Sequence, residues 1–246
     1  MTKIHHLNCG ALRPSFLSKA ICHCLLLEDK NGFALVDTGF GIADVQDPVR
    51  RIGQSMIDRF SVEFDERNTA IRQIQKMGLD PGDVGHCILT HLDFDHVGGL
   101  ADFPAADVHL GEEEYRSLKN GSPRYRQIQF EHNPKFNTYG QANTEWYGLP
   151  SRKIEIGFGS EIFLIPLFGH TAGHCGVAIG QKDKWVLHAG DAFFSGQELT
   201  EDDHPVTDAA VAVADNDVQR IESFRKVREI AKKHKEITIL CYHDPF

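Results

Sequence analysis

The chain has 246 residues and a formal net charge of −9, from 26 basic and 35 acidic side chains. That length suits one domain with a substantial buried core, and the acidic balance argues against a broad electrostatic grip on nucleic acid. No apolar run approaches the ~20 residues of a membrane-spanning helix, and "MTKIHHLNCGALRP" has no apolar signal-peptide core, so the expected location is the cytoplasm, away from any membrane.

In chain order, "ICHCLLLEDKNGFALVDTGF" predicts a hairpin that turns at Asn31-Gly32 and ends at Asp37-Thr38-Gly39. Residues 68–78 predict a helix, with Ala70, Ile71, Ile74 and Met77 on one face and Gly78 as its stop. A short strand, "HCILT", then leads into "HLDFDHVGG", where Gly98-Gly99 are expected to let the following helix start close to metals held by that motif. "VHLGEEEYRSLKNG" reads as a strand and a helix with an acidic first turn. From about 121 to 152 no periodicity survives, and the segment is expected to be an irregular insert. Its aromatic residues, Tyr125, Phe130, Phe136, Tyr139, Trp146 and Tyr147, would cover a site or carry a homodimer contact. Strands resume at "KIEIGF", "EIFLIPL", "CGVAIG" and "KWVLHAGD". A helix over 217–233 has Val218, Ile221, Phe224, Val227 and Ile230 as its inner stripe, and "EITILCYHD" is a last strand.

The six cysteines, at 9, 22, 24, 87, 175 and 241, form no CxxC pair and read as reduced, buried thiols. Cys22 and Cys24 share one strand face by their spacing of two. The histidines carry more information. His91, Asp93, Asp95 and His96 crowd into six positions after an apolar run; His170, Asp191 and His243 each follow or end a predicted strand. Four imidazoles and three carboxylates are too many for one tetrahedral ion with an open position, and suit two ions that share a ligand. Of the neighbouring residues, Asp37 is either a turn residue or a group that orients a ligand histidine, and His174 and His188 read as hydrogen-bonded supports.

This pattern resembles the metallo-β-lactamase superfamily, whose main signature runs His-x-His-x-Asp-His and continues to a distant His, an Asp and a His. Here the same order reads His91-x-Asp93-x-Asp95-His96, His170, Asp191, His243. The resemblance covers nearly the whole chain. It implies an α/β fold, a four-layer αββα sandwich formed by a single domain over 1–246, with the site at one edge between the sheets. It also implies that His91, Asp93 and His170 hold a first metal, that Asp95, His96 and His243 hold a second, and that Asp191 bridges them. Asp93 departs from the commoner His, which makes the site harder: zinc leads, with iron or manganese as alternatives. The implied activity is metal-dependent hydrolysis of a small ester-like or lactone-like molecule, with a metal-bound hydroxide as nucleophile and Asp95 orienting it or passing a proton to the leaving group. Lactonases of the family carry a tyrosine where this chain has Phe194, which lacks the hydroxyl. Alternatives are a phosphodiester or phosphonate hydrolase, whose anionic substrate would meet Arg124, Arg126, Lys135, Arg152 or Lys153, and a non-hydrolytic di-iron redox or sensor protein.

Overall fold

Leu25 and Leu27 point one way from their strand, and Cys22, Cys24 and Leu26 the other. Each set enters a different core. This two-residue period, repeated in several strands, builds the layers. The computed structural model describes residues 2–14, 20–202, 204 and 206–245. Its strands are β1 (Lys3–Leu12), β2 (Ala20–Asp29), β3 (Gly32–Val36), β4 (Val62–Glu63), β5 (Val84–Ile88), β6 (Asp107–Gly111), β7 (Lys135–Tyr139), β8 (Thr144–Trp146), β9 (Leu149–Ile154), β10 (Ile162–Pro166), β11 (Cys175–Gln181), β12 (Lys184–His188) and β13 (Ile237–Leu240). They form a seven-stranded sheet in the order β4-β1-β2-β3-β5-β6-β7 and a six-stranded sheet in the order β13-β12-β11-β10-β9-β8.

The sheets face each other across a dry core. Leu25, Leu27, Ala34, Val36 and Ile88 from the first meet Ile154, Ile162, Leu164, Val177 and Ile179 from the second. The outer face of the first sheet, with Cys22, Leu26, Leu35 and Cys87, is covered by helical segments through Ile52, Ile74, Val97 and Leu118. The outer face of the second packs Phe163, Ile165 and Leu187 against Val227 and Ile230 of the helix Asp217–Lys233. This is the αββα sandwich. Strands buried on both faces read as continuous apolar runs, which explains "CLLL" and "IFLI".

The structure corrects several sequence expectations. The interval 121–152 is not an irregular insert: β7 extends the first sheet in parallel with β6, and β8 and β9 lie at the far edge of the second. Edge position and buried polar residues hid them. β7 is only half-buried, and β9 buries Ser151 and Arg152 beside a single buried apolar residue, Ile154. Tyr125 and Trp146 are core residues, and Phe130 and Phe136 pack against the first outer core. β9 spans 149–154, earlier than the "KIEIGF" expected. β1, unread in the sequence, pairs with β2, and short helices occupy 42–60. Met77 and Val218, assigned to inner faces, are exposed because each lies at a helix end, beyond the reach of its sheet. Gly98 and Gly99 do permit a close approach, but toward Asp44 and Thr38: a Cβ at Gly98 would stand 1.8 Å from Asp44 Oδ2.

Two buried histidines outside the set of metal-ligand candidates predict a pH response. Burial first, and then the neighbouring imidazoles of His188 and His86, bring His23 down to about 3 and His109 down to about 4. Both are therefore neutral when folded and charge on unfolding below ~6.5. Their contribution is complete above that pH and is lost as the pH falls toward 4. The melting temperature should drop between pH 6.5 and 4.5, and a His23→Gln/His109→Gln double variant should show a shallower drop. An unchanged slope in the double variant would exclude these two groups as the cause.

Candidate metal centre

The seven candidate ligands leave four different places in the chain and meet at one edge. Three of those places follow the C-terminal ends of β5, β10 and β12. β13 runs parallel to β12 and delivers His243 three residues past its end. Asp93 precedes a single helical turn, Phe94–Val97, which carries Asp95 and His96.

Two trios converge. His91, His170 and Asp191 form one and Asp95, His96 and His243 the other, each with one donor atom per residue and all three within 4.8 Å of one another. Asp191 lies between them. Its Oδ2 is 3.4 Å from His170 Nε2 and 3.3 Å from His243 Nε2, and its Oδ1 is 3.5 Å from His96 Nε2. Asp93 Oδ2 adds a fourth atom to the first trio, 3.3 Å from His91 Nε2 and 3.2 Å from His170 Nε2. Ligand bonds of about 2.0–2.1 Å at tetrahedral angles place neighbouring donors roughly 3.3–3.4 Å apart. These separations are those of donors around shared cations, although His170 Nε2 and Asp93 Oδ2 are also within hydrogen-bond reach of each other. His91 Nε2, His96 Nε2 and Asp191 Oδ1 are buried and have no hydrogen-bond partner among the described residues, a state that costs free energy unless a cation takes the lone pairs. Imidazole and carboxylate together suit zinc, iron or manganese. The residues present fit the group.

Electrostatics agree. Burial drives His91 down to about 4, so its lone pair is free at neutral pH. Burial also opposes the charge on Asp191, but the imidazoles of His243 and His96 outweigh it and hold the carboxyl well below its usual range.

Supporting contacts fix the rings. His96 Nδ1 donates to Asp37 Oδ2 at 2.9 Å, and Asp37 also accepts from Thr90 N at 2.8 Å and Thr90 Oγ1 at 2.7 Å. Of the two readings of Asp37, the geometry takes the orienting one. His243 Nδ1 donates to Ile21 O at 3.0 Å. His174 accepts from Asp191 N at 2.9 Å, while its Nδ1 donates to Leu167 O. Gly190, at φ 55°, makes that turn possible: a Cβ there would lie 2.6 Å from His174 Nε2. His188 donates to His23 O and stays outside the site.

Three contributors carried no readable signal of their role. Glu114, buried, accepts from Leu92 N and Tyr125 OH on one oxygen and from Thr171 Oγ1 and Gly173 N on the other. It so ties the loop of His91 and Asp93 to that of His170, yet its sequence setting is a row of three glutamates. Tyr242 stacks on His96 with ring centroids 3.6 Å apart and donates to Asp95 O; its only cue is adjacency to His243. Thr90 serves through Asp37. Of the five cations proposed to meet an anionic substrate, only Arg124 reaches the site. Arg126 donates to Arg50 and Arg51 carbonyls, and Lys135, Arg152 and Lys153 pair with Asp107, Glu113 and Glu161.

The floor of the site opens into a cavity of about 400 Å³. Asp93, Asp95, His170, Asp191 and His243 form its polar end, and Leu12, Met56, Phe60, Phe94, Phe194 and Val213 its apolar walls. From the interval 121–152 only Pro123 and Arg124 line it.

Such a sandwich, with paired His/Asp cradles at the sheet ends, defines a metal-dependent hydrolase. The chain belongs to the metallo-beta-lactamase superfamily, whose family model matches residues 18–241. It is 38% identical to a protein of Mycobacterium tuberculosis named "Probable metallo-hydrolase", over 99% of this chain and 80% of that one. It is 26% identical to an N-acyl homoserine lactonase of Bacillus thuringiensis, over 96% of this chain and 86% of that one. Among solved structures, an N-acyl homoserine lactone hydrolase with bound N-hexanoyl-L-homoserine aligns at a TM-score of 0.75 and 21% identity, over 98% of this chain and 93% of that one. A dizinc quorum-quenching lactonase aligns at 0.60 and 18%, over 93% and 74%.

Proposed function

We propose that the chain opens a lactone or cleaves a small ester bearing an apolar substituent, using two divalent cations, with zinc the leading choice. His91, Asp93 and His170 would hold one and Asp95, His96 and His243 the other, with Asp191 shared. The observation that carries this reading is the convergence of both trios on the polar end of one apolar-walled cavity. Bound divalent ions supply acidified water and a polarised carbonyl.

The chain's own residues supply the rest. The walls formed by Leu12, Met56, Phe60 and Phe194 take the apolar substituent and exclude bulk water from the polar end. Asp95 lines the cavity beside His243, its Oδ2 3.8 Å from that ring's Nε2. From there it orients the attacking water and hands a proton to the departing alkoxide. Water adds to the carbonyl carbon, the ester C–O bond breaks, and the product is a hydroxy acid or an acid and an alcohol. The relatives' names support a lactone as the first substrate to try. A single guanidinium at the cradle gives less support to a phosphodiester, whose two free oxygens call for more cationic contacts.

The test is elemental analysis of untreated protein, followed by assay of the metal-loaded protein on lactones, carboxylic esters and phosphodiesters. The expected result is zinc together with turnover of a lactone or ester, and at least ~100-fold lower kcat/KM on phosphodiesters, about 3 kcal/mol of barrier. Turnover that survives complete metal removal would reject the proposal, as would a visible iron spectrum that responds to reductant in a protein inert toward the whole panel.

A further inference from the structure

Asp93 is held by an arginine. Arg124 Nε donates to Asp93 Oδ1 at 2.6 Å and Nη2 to Oδ2 at 2.5 Å, a bidentate pair. Nη1 donates to Val213 O at 2.7 Å and to Asp215 Oδ1 at 3.1 Å. The fifth N–H, the second on Nη2, is directed at His170 Nε2, 3.0 Å away. Every donor of this guanidinium is therefore engaged, and the side chain is only 18% exposed. The cavity's other guanidinium, Arg59, instead lies over the ring of Phe60.

His170 Nε2 has one lone pair. It cannot accept from Arg124 and ligate a cation at once. Filling the His91/His170 cradle thus releases one N–H of Arg124, held in place by four remaining bonds, at the wall of the cavity. A charged donor left without a partner in a half-dry site is costly, and the group that can meet it is an oxygen of the molecule in the cavity. The same guanidinium offsets the charge that Asp93 adds to the site, so the extra carboxylate need not blunt the polarising power of the cations.

We propose that Arg124 is a catalytic residue of the reaction above, donating to the substrate carbonyl oxygen as it gains negative charge and then to the carboxylate of the product. This rests on the hydrolase reading and adds a substrate-binding donor to it. Phe194, which also lines the cavity, carries no hydroxyl, and Arg124 is the described lining residue whose charged donor is held at the cradle.

The experiment compares zinc-loaded wild type with Arg124→Gln and Arg124→Lys. Three quantities are read: zinc per chain by elemental analysis, affinity for 4-hydroxydecanoate by calorimetry, and kcat and KM on γ-decanolactone and on a matched ester. The expected result for Arg124→Gln is unchanged zinc content, at least tenfold weaker 4-hydroxydecanoate binding, and a hundredfold lower kcat/KM that falls mainly in kcat. Arg124→Lys, which keeps the charge, should recover part of the product affinity and guards against misfolding of the first variant. Binding and turnover within threefold of wild type would overturn the proposal. So would loss of zinc in both variants, which would make Arg124 a mere support of Asp93, or a gain of one ion per chain, which would make it a competitor for the cradle. A wild type that binds no zinc and opens neither ester nor lactone would reject the parent reading; an active wild type with an indifferent Arg124→Gln rejects this one alone.

Discussion

Asp191→Asn should strip the protein of most of its bound metal and lower kcat/KM by roughly 10³-fold, about 4 kcal/mol of barrier. The substitution keeps the shape and removes one charge. Asp191 is the residue closest to both trios, with an oxygen 3.3 to 3.5 Å from His243, His170 and His96. No other described carboxylate has that position. An amide oxygen is a weaker ligand for a dication, and the amide nitrogen cannot ligate at all, so whichever cradle it faces loses a donor. The backbone contact to His174 is untouched, and the circular dichroism spectrum should stay that of the wild type. Metal content and turnover are the two readouts. Full metal occupancy with activity within tenfold of wild type would show that the two trios do not depend on a shared carboxylate.

Glu114→Ala should destabilise the fold by about 3–5 kcal/mol, because it strands buried donors at about 1–3 kcal/mol each. For a chain of this size that is a fall of roughly 6–20 °C in melting temperature. Glu114→Gln should not rescue it. Each carboxylate oxygen accepts two donors, Leu92 N and Tyr125 OH on one, Thr171 Oγ1 and Gly173 N on the other, so an amide nitrogen at either place faces two donors with none to accept. Burial pushes the Glu114 carboxyl up to about 7, a cost that its hydrogen bonds offset only in part, so the stability comparison is made above pH ~8, where the carboxylate is ionised. Because Leu92 sits between His91 and Asp93, and Thr171 follows His170, both variants should also weaken metal affinity by about 10–100-fold, the usual penalty for loss of a ligand-orienting contact. Thermal denaturation of metal-free protein isolates the first effect, and metal titration the second. A Glu114→Gln protein as stable as wild type would mean that the carboxyl is protonated and the four-donor account is wrong.

The contrast between Asp191 and Glu114 shows what could be read in the chain. Asp191 stood out because a carboxylate follows a predicted strand in a fixed order with four histidines, and ligand chemistry restricts the residue types that can fill such a place. Glu114 stood in a run of like charges at a helix start, where a solvated acid and a buried one look the same. The same ambiguity hid β9: Arg152 and Ser151 are buried there through Glu113 and close packing, not through apolarity, and hydrophobic period is the only signal a single strand gives. β7 was lost for the opposite reason, since an edge strand half in solvent has little period to show.

The order and type of the candidate ligands, the strands that carry them and the helix over 217–233 were legible in the sequence alone, because residue chemistry and periodicity are local properties. Which groups share one space was decided only by the tertiary structure. The bond of Arg124 to Asp93 across 31 positions, the bridge of Glu114 between two loops and the stacking of Tyr242 on His96 arise from the way two sheets bring distant strand ends to one edge. No local pattern encodes such meetings, since each depends on where the whole chain has placed the partner.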